Sequence, residues 1–282
     1  MLPADGHVHS QFSWDALAGD MHATCARAAA VGLPALAFTE HVDLTAWTLH
    51  DRSLPPSYRG SVDEHGRFLG SPLEVGAYLE EVERCRHAFP ELRVWSGIEL
   101  SEGHWHPAAV ADLMAAVQPQ RVVGSVHALV DRHPDAAAGD HVEVGDGYDQ
   151  REPVEVVRAY LAEVRAMSLS DAPFEVLGHI DYPLRSWPTS AGGVPWAVLE
   201  EDFRAALEAT AASGRALEVN TRLPLAARVV DWWYESGGES VVFGSDAHRP
   251  EDVARDFAET AAMVAAHGFR PRSSPYEHWG RA

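Results

Sequence analysis

Short, nearly continuous apolar runs alternate along this chain with stretches whose apolar residues recur at i, i+3 and i+4. Ala35–Thr39, Val94–Leu100, Arg121–His127, Phe174–His179, Ala216–Asn220 and Val241–Ser245 read as strands, and Leu2–His9 as a weaker first one. Between them, about Asp20–Val31, Glu74–Ala88, Pro107–Val117, Pro153–Met167, Trp196–Ser213, Pro224–Glu235 and Pro250–His267 read as helices. Proline stands in or near the first turn of four of these helices, and Gly32, Gly214 and Gly268 stand where three should stop. Strand alternating with helix predicts a parallel sheet, and unbroken apolar strands suit a sheet covered on both faces. Asp43–Ser71 and Asp131–Glu152 lack either period and read as long loops over one end of the sheet.

Polar residues break the strand pattern at one place, the strand ends. His7 and His9 close the first run, in Asp5-Gly6-His7-Val8-His9-Ser10, and residues i and i+2 of an extended chain share a face. Asp15, His41, Glu99, His127, His179, Asp246 and His248 fall near the ends of other runs. An open sheet gathers its site at one switch point, whereas a barrel collects residues from every strand's C-terminal end. The distribution therefore predicts an α/β fold, a closed or nearly closed barrel of seven βα units, over 1–282 as one domain. A single histidine at a strand end is ordinary; nine such residues at successive ends are not.

These nine are six imidazoles and three carboxylates. Imidazole-rich sites favour zinc, manganese, iron or cobalt over magnesium or calcium. Nine donors exceed the needs of one ion and suit two or three, with Glu99 able to bridge. A hydroxide between such ions is a ready nucleophile near neutral pH. Three divalent ions against three carboxylates and one hydroxide leave about two positive charges, which a phosphate dianion would neutralise.

Composition narrows the field. The net charge of −20 argues against nucleic-acid binding. There is no lysine, which excludes Schiff-base chemistry, a phosphate-binding loop of the GxxxxGK[ST] type and a carbamylated-lysine metal bridge. Cys25 and Cys85 form no metal-type pair and read as buried free thiols in a reducing compartment. No membrane span or secretory leader is expected, and the location implied is cytoplasmic. The oligomeric state stays open. His104 and His106 fit either a pocket wall or an ordinary loop. Asp5 and Asp181 could orient imidazoles or face solvent, and Trp232-Trp233-Tyr234 reads as helix packing.

Asp5-Gly6-His7-Val8-His9-Ser10, Phe38-Thr39-Glu40-His41, Gly97-Ile98-Glu99, Gly124-Ser125-Val126-His127, Gly178-His179-Ile180-Asp181 and Gly244-Ser245-Asp246-Ala247-His248 resemble, in order, the motifs of the PHP (polymerase and histidinol phosphatase) family. The resemblance is closest to its histidinol-phosphate phosphatase branch. It implies a distorted (β/α)7 TIM-like barrel and a trinuclear metal centre at the C-terminal ends of the strands. By motif, one ion would take His7, His9, Glu99 and Asp246, and a second Glu99, His127 and His179. A third would take Asp15, His41 and His248, although relatives carry a histidine near Ser13-Trp14-Asp15, where this chain departs. Arg185 and Arg222 match arginines of that branch and could grip phosphate. Asp246 or His248 would handle the proton.

The expected activity is hydrolysis of a small-molecule phosphate ester, L-histidinol phosphate, with two or three ions of zinc, manganese or iron. Two alternatives remain. One is another ester, such as a nucleotide or cyclic phosphodiester. The other is a catalytically silent metal-binding module.

Overall fold

The computed structural model of the chain describes residues 2–50, 53–56 and 58–282. Seven parallel strands form a barrel: β1 (Asp5–Val8), β2 (Ala35–Asp43), β3 (Arg93–Ser101), β4 (Arg121–Ser125), β5 (Val176–Leu177), β6 (Ala216–Asn220) and β7 (Ser240–Gly244). They pair in sequence order, and β1 pairs with β7 to close the ring. Closure is thin: Asp5 meets Phe243 and Val8 bridges Ala247, while Ser240 and Val241 pair instead with the antiparallel strand Trp279–Arg281. The barrel is therefore distorted at one seam.

Each strand is followed by a helix: α1 (Met21–Val31), α2 (Val75–Ala88), α3 (Pro107–Val117), α4 (Pro153–Ser168), α5 (Trp196–Ala212), α6 (Ala227–Glu235) and α7 (Phe257–Ala266). Local chemistry sets their ends. Asp20 caps α1 by accepting the Ala23 N–H at 2.7 Å, and Gly32 ends it in the left-handed region at φ 78°. Pro107 and Pro153 open α3 and α4, where the missing N–H costs nothing.

The period-2 alternation of the strands decides what faces inward. Leu36, Phe38, Val94, Ile98, Leu217, Val219, Val241 and Phe243 point outward into the main core beneath the helices. Ala35, Ala37 and Trp95 fill one side of the barrel interior, and Val123, Val176 and Ala216 the other. Further along the same inner faces the side chains turn polar: Glu99 on β3, four residues beyond Trp95, and Glu218 on β6, two beyond Ala216, both buried. An apolar floor thus carries a polar upper layer at the C-terminal mouth.

Several boundaries differ from expectation. β2 runs on to Asp43, so Glu40 and His41 lie within the strand, paired in register with β3. β5 is only two residues long, and Pro250–Asp252 is a separate short turn before α7. The two excursions expected to be unstructured hold short strands. Trp47–Thr48, Gly60–Val62 and Arg67–Gly70 form a small antiparallel sheet, and His141–Glu143 pairs with Ala128–Val130. Their strands are too short to show a period, and the first is held instead by Trp14, Trp47 and Phe68 packed as a second core. Cys25 and Cys85 are buried free thiols, and Trp233 is buried in α6 with Trp232 against Phe203. Among the described residues no helix is long and apolar enough to cross a membrane.

Candidate metal centre

All nine residues expected to bind metal converge at the barrel mouth, in three groups. His7 Nε2 and His9 Nε2 approach to 3.1 Å and lie 3.3 and 3.4 Å from Glu99 Oε2. Asp246 Oδ1 completes this group, 3.3 Å from His9 Nε2 and 4.0 Å from His7 Nε2. The other oxygen of Glu99 serves the second group: Oε1 lies 3.2 Å from His127 Nε2 and 2.7 Å from His179 Nε2. In the third, Asp15 Oδ1 is 3.3 Å from His41 Nε2 and Asp15 Oδ2 is 3.0 Å from His248 Nε2.

The backbone explains how distant motifs meet. The Asp246 N–H donates to His7 O at 2.8 Å and the His9 N–H to Ala247 O at 2.9 Å, which locks both ends of the first group across the seam. Asp246 itself takes φ 51°, an uncommon conformation for a residue with a side chain. Its neighbours hold it there and turn its carboxylate inward.

Three of the inward-facing imidazoles, His7, His9 and His127, have the rear nitrogen occupied. His7 Nδ1 lies 2.7 Å from Glu218 Oε1, and His127 Nδ1 lies 2.9 Å from Asp43 Oδ1. His9 Nδ1 is 2.9 Å from Ser13 Oγ, which also accepts the His41 N–H at 3.0 Å and donates to Glu40 Oε2 at 2.6 Å. With the rear nitrogen donating, the forward nitrogen presents a lone pair. Two imidazole lone pairs facing each other and a carboxylate repel unless a cation lies between them. Glu99 Oε2, Asp15 Oδ1 and both ring nitrogens of His41 are also buried without a hydrogen bond. This donor set, neutral imidazoles and carboxylates with rear hydrogen-bond partners, fits divalent transition ions.

The electrostatics point the same way. Burial would raise the Glu99 carboxyl, yet His7, His127 and His41 hold it well below its usual range. Asp246 is likewise held well below by Arg185 and Arg222 against the cost of burial. His9 is driven well below the ordinary imidazole range by burial and by His41 and His248. The Arg185 guanidinium lies 2.7 Å from Asp246 Oδ2, and Arg222 lies 3.4 Å from Asp246 Oδ1 and 3.0 Å from His248 Nδ1.

Three carboxylates that matter here were not singled out in the sequence: Asp43, Glu218 and Glu143. A lone acid inside an apolar strand, as in Ala216-Leu217-Glu218-Val219, was the available signal for Glu218. Conversely, Asp5 and Asp181, read as candidate imidazole acceptors, do not act so. Asp5 accepts the backbone N–H groups of Ser245 and Ala254 at 2.9 and 3.2 Å, stitching the seam, and Asp181 is buried beside Arg185. Each stands two residues from a candidate ligand, Asp5 before His7 and Asp181 after His179, but backbone N–H groups take up the first carboxylate and Arg185 neighbours the second. His104 and His106 bond Glu163 and Thr45, away from the cluster.

The cluster opens into a cavity of about 120 Å3, with Trp14, Trp47, Tyr58, Glu143, Tyr182, Arg185 and Arg222 in its walls. Trp47 and Tyr58 come from the first excursion and Glu143 from the second, so both excursions do cover the mouth. A wider vestibule of about 500 Å3 adjoins it, carrying Arg249 and Arg255.

Packing leaves no slack beneath the cluster. A Cβ added at Gly244 would lie 1.9 Å from Glu218 Oε1 and 2.8 Å from His7 Cβ. Gly244→Ala is expected to cost about 1–3 kcal/mol of stability, as overpacked cores do. It should also lower metal content, and calorimetry with metal analysis on one preparation checks both.

A family model described as "PHP domain" matches residues 5–222, which stops short of Asp246 and His248. The chain is 25% identical over 260 residues to a histidinol-phosphatase of Lactococcus lactis subsp. lactis (strain IL1403), covering 88% of this chain and 85% of that one. It is 26% identical over 277 residues, 94% of each chain, to a protein of Deinococcus radiodurans described as "Probable histidinol-phosphatase". The crystal structure of the Lactococcus lactis histidinol phosphate phosphatase with zinc, L-histidinol and phosphate superposes with a TM-score of 0.78. It covers 98% of both chains at 23% identity.

Proposed function

The chain belongs to the PHP domain family, and on that premise we propose that it is a metal-dependent phosphomonoesterase that hydrolyses L-histidinol phosphate to L-histidinol and phosphate. The observation that carries this reading is Glu99. Its two oxygens face two separate histidine groups, 3.3 Å from His7 and 2.7 Å from His179, beside two arginines in one buried cavity. The similarity to two histidinol-phosphatases over most of the chain supports the substrate.

Two or three divalent ions, of zinc, manganese or iron, would be held by His7, His9, Glu99 and Asp246, by Glu99, His127 and His179, and by Asp15, His41 and His248. When bound, such ions supply Lewis-acid activation of water and neutralise charge on a phosphoryl group. The residues of the chain do the rest. Arg185 and Arg222 stand over Asp246 and bind the phosphoryl oxygens, stabilising charge that grows in the transition state. Asp246 and His248, at the same rim, take and return the proton. Trp14, Trp47 and Tyr58 exclude bulk water.

Glu143 stands in the same wall. Tyr182 donates to its Oε1 at 3.0 Å and the Gly145 N–H to its Oε2 at 2.6 Å. Burial and then Asp146 push its carboxyl up to about 7. A cation beside it would restore its charge, and the ammonium of an amino-alcohol phosphate is such a group. The vestibule with Arg249 and Arg255 favours a second reading, a larger and more anionic ester such as a nucleotide.

Phosphate release from L-histidinol phosphate, p-nitrophenyl phosphate, a nucleoside monophosphate and a cyclic diester separates the two. Histidinol phosphate should give the highest kcat/KM. Glu143→Gln should lower that value about 10- to 100-fold, in line with one charged hydrogen bond, and leave p-nitrophenyl phosphate nearly unchanged. Preference for the nucleotide by the wild type would replace the first reading with the second.

A further inference from the structure

Glu218 lies beneath the cluster rather than in it, and its two oxygens have different partners. Its neighbours Leu217 and Val219 face the helices, so the side chain points into the barrel, buried. Oε1 is 2.7 Å from His7 Nδ1, and Oε2 accepts the backbone N–H of His179 at 2.6 Å. His7 belongs to the first group of ligands and His179 to the second. The pocket around this carboxylate is made by absent side chains: a Cβ at Gly244 would reach to 1.9 Å of Oε1 and one at Gly178 to 3.6 Å of Oε2.

We propose that Glu218 is a positioning residue that couples the first two metal groups. It holds His7 with the proton on Nδ1, so that Nε2 faces His9 and Glu99 as a lone pair, and it pins the backbone that carries His179. This rests on the metal-cluster reading above. The site requires two acceptors, since both its partners are N–H donors. Glutamine offers one acceptor and one donor. One orientation sets an amide N–H against the His179 N–H. The other sets it against His7 Nδ1 and forces the tautomer whose proton sits on Nε2, which cannot ligate. A shape-preserving substitution therefore fails for a chemical reason.

The test is zinc content and zinc affinity of the full chain, stripped and reloaded, for wild type, Glu218→Gln, His7→Asn and the double variant. Glu218→Gln should still fold without metal, hold at least one ion fewer than wild type, and bind zinc about 10- to 100-fold more weakly. The double variant should lose less affinity than the two single losses combined, because Glu218 acts largely through His7. Additive losses, or wild-type content and affinity in Glu218→Gln, overturn the inference. Should that variant not fold, 15N NMR of the imidazoles in zinc-loaded wild type decides. A proton on His7 Nδ1 supports the inference, and one on Nε2 overturns it. A wild type that retains no zinc overturns the metal reading and this inference together. A wild type that retains zinc beside a variant that retains as much overturns this inference alone.

Discussion

Glu99→Gln is expected to lower kcat/KM for phosphate-ester hydrolysis about 10³-fold or more while leaving the metal-free protein folded. Its two oxygens face two different groups, with Oε2 at 3.3 and 3.4 Å from His7 and His9 and Oε1 at 3.2 and 2.7 Å from His127 and His179. Glutamine keeps the shape but offers one acceptor, and it removes the negative charge that offsets two cations. At least one group then loses its shared ligand. Loss of a single preorganised electrostatic contact costs about 10²–10³ in rate, and here positioning of the nucleophile fails as well. The fold should survive because Glu99 takes part in no core packing: its outward neighbours Ile98 and Leu100 hold β3 to the helices. Phosphate release and metal analysis on the same sample provide the measurement. A variant with most of its activity, or with full metal content, would remove Glu99 from the bridging role.

Stripping the ions with a chelator at neutral pH should abolish hydrolysis, and adding zinc or manganese should restore it. Each bound ion present at about 100 times its dissociation constant adds about 2.7 kcal/mol of stability. Removing one ion should therefore lower the melting temperature by roughly 5–10 °C in a chain of this size. The pH dependence has a definite sign. Burial opposes charge on His127, but Glu99 and Asp43 push its pKa up to about 10, and Glu218 and Glu99 likewise hold His7 well above the usual range. Below that range the metal-free cluster keeps these protons, and an ion must displace them. Metal uptake at pH 7 should release protons into a weakly buffered solution, and affinity should rise with pH toward about 10. Affinity independent of pH would show that these imidazoles are not ligands. Unaltered activity in the chelator would show that hydrolysis needs no ion.

Much of the molecule was readable along the chain. The (β/α)7 alternation follows from apolar runs and helical periods, because burying a sheet on both faces imposes a composition that any reader can see. The nine candidate positions stand out for a related reason: polar residues in or at the ends of such strands are costly unless they do something. Asp15 was the hardest to place, since Ser13-Trp14-Asp15 departs from the pattern of the relatives. The fold settles its position, bringing it 3.3 Å from His41 and 3.0 Å from His248.

Other features had no local signature. The excursions at 43–71 and 131–152 hold strands too short for a period, and only their packing against Trp14 and the barrel mouth gives them shape. Asp43 ends a strand like many surface acids, yet it accepts His127, Ser101 at 2.5 Å and Trp14 at 2.7 Å. Asp5 and Asp181 looked like the better partners because they sit beside ligands in sequence. Their carboxylates are taken up by the backbone of the seam and by Arg185, and the carboxylate that orients a histidine comes from another strand: Glu218 reaches His7 from 211 residues away.

The sequence by itself therefore determined the class of fold, the strand ends at which polar residues gather and the chemistry of the nine donors. These depend on periodicity and residue type, which are local. Only the tertiary structure decided which donors share an ion-sized space, which carboxylates orient them and which side chains wall the cavity. Those relations are set by barrel closure, strand register and the glycines that leave room beneath the cluster, and none of them is encoded within one segment of chain.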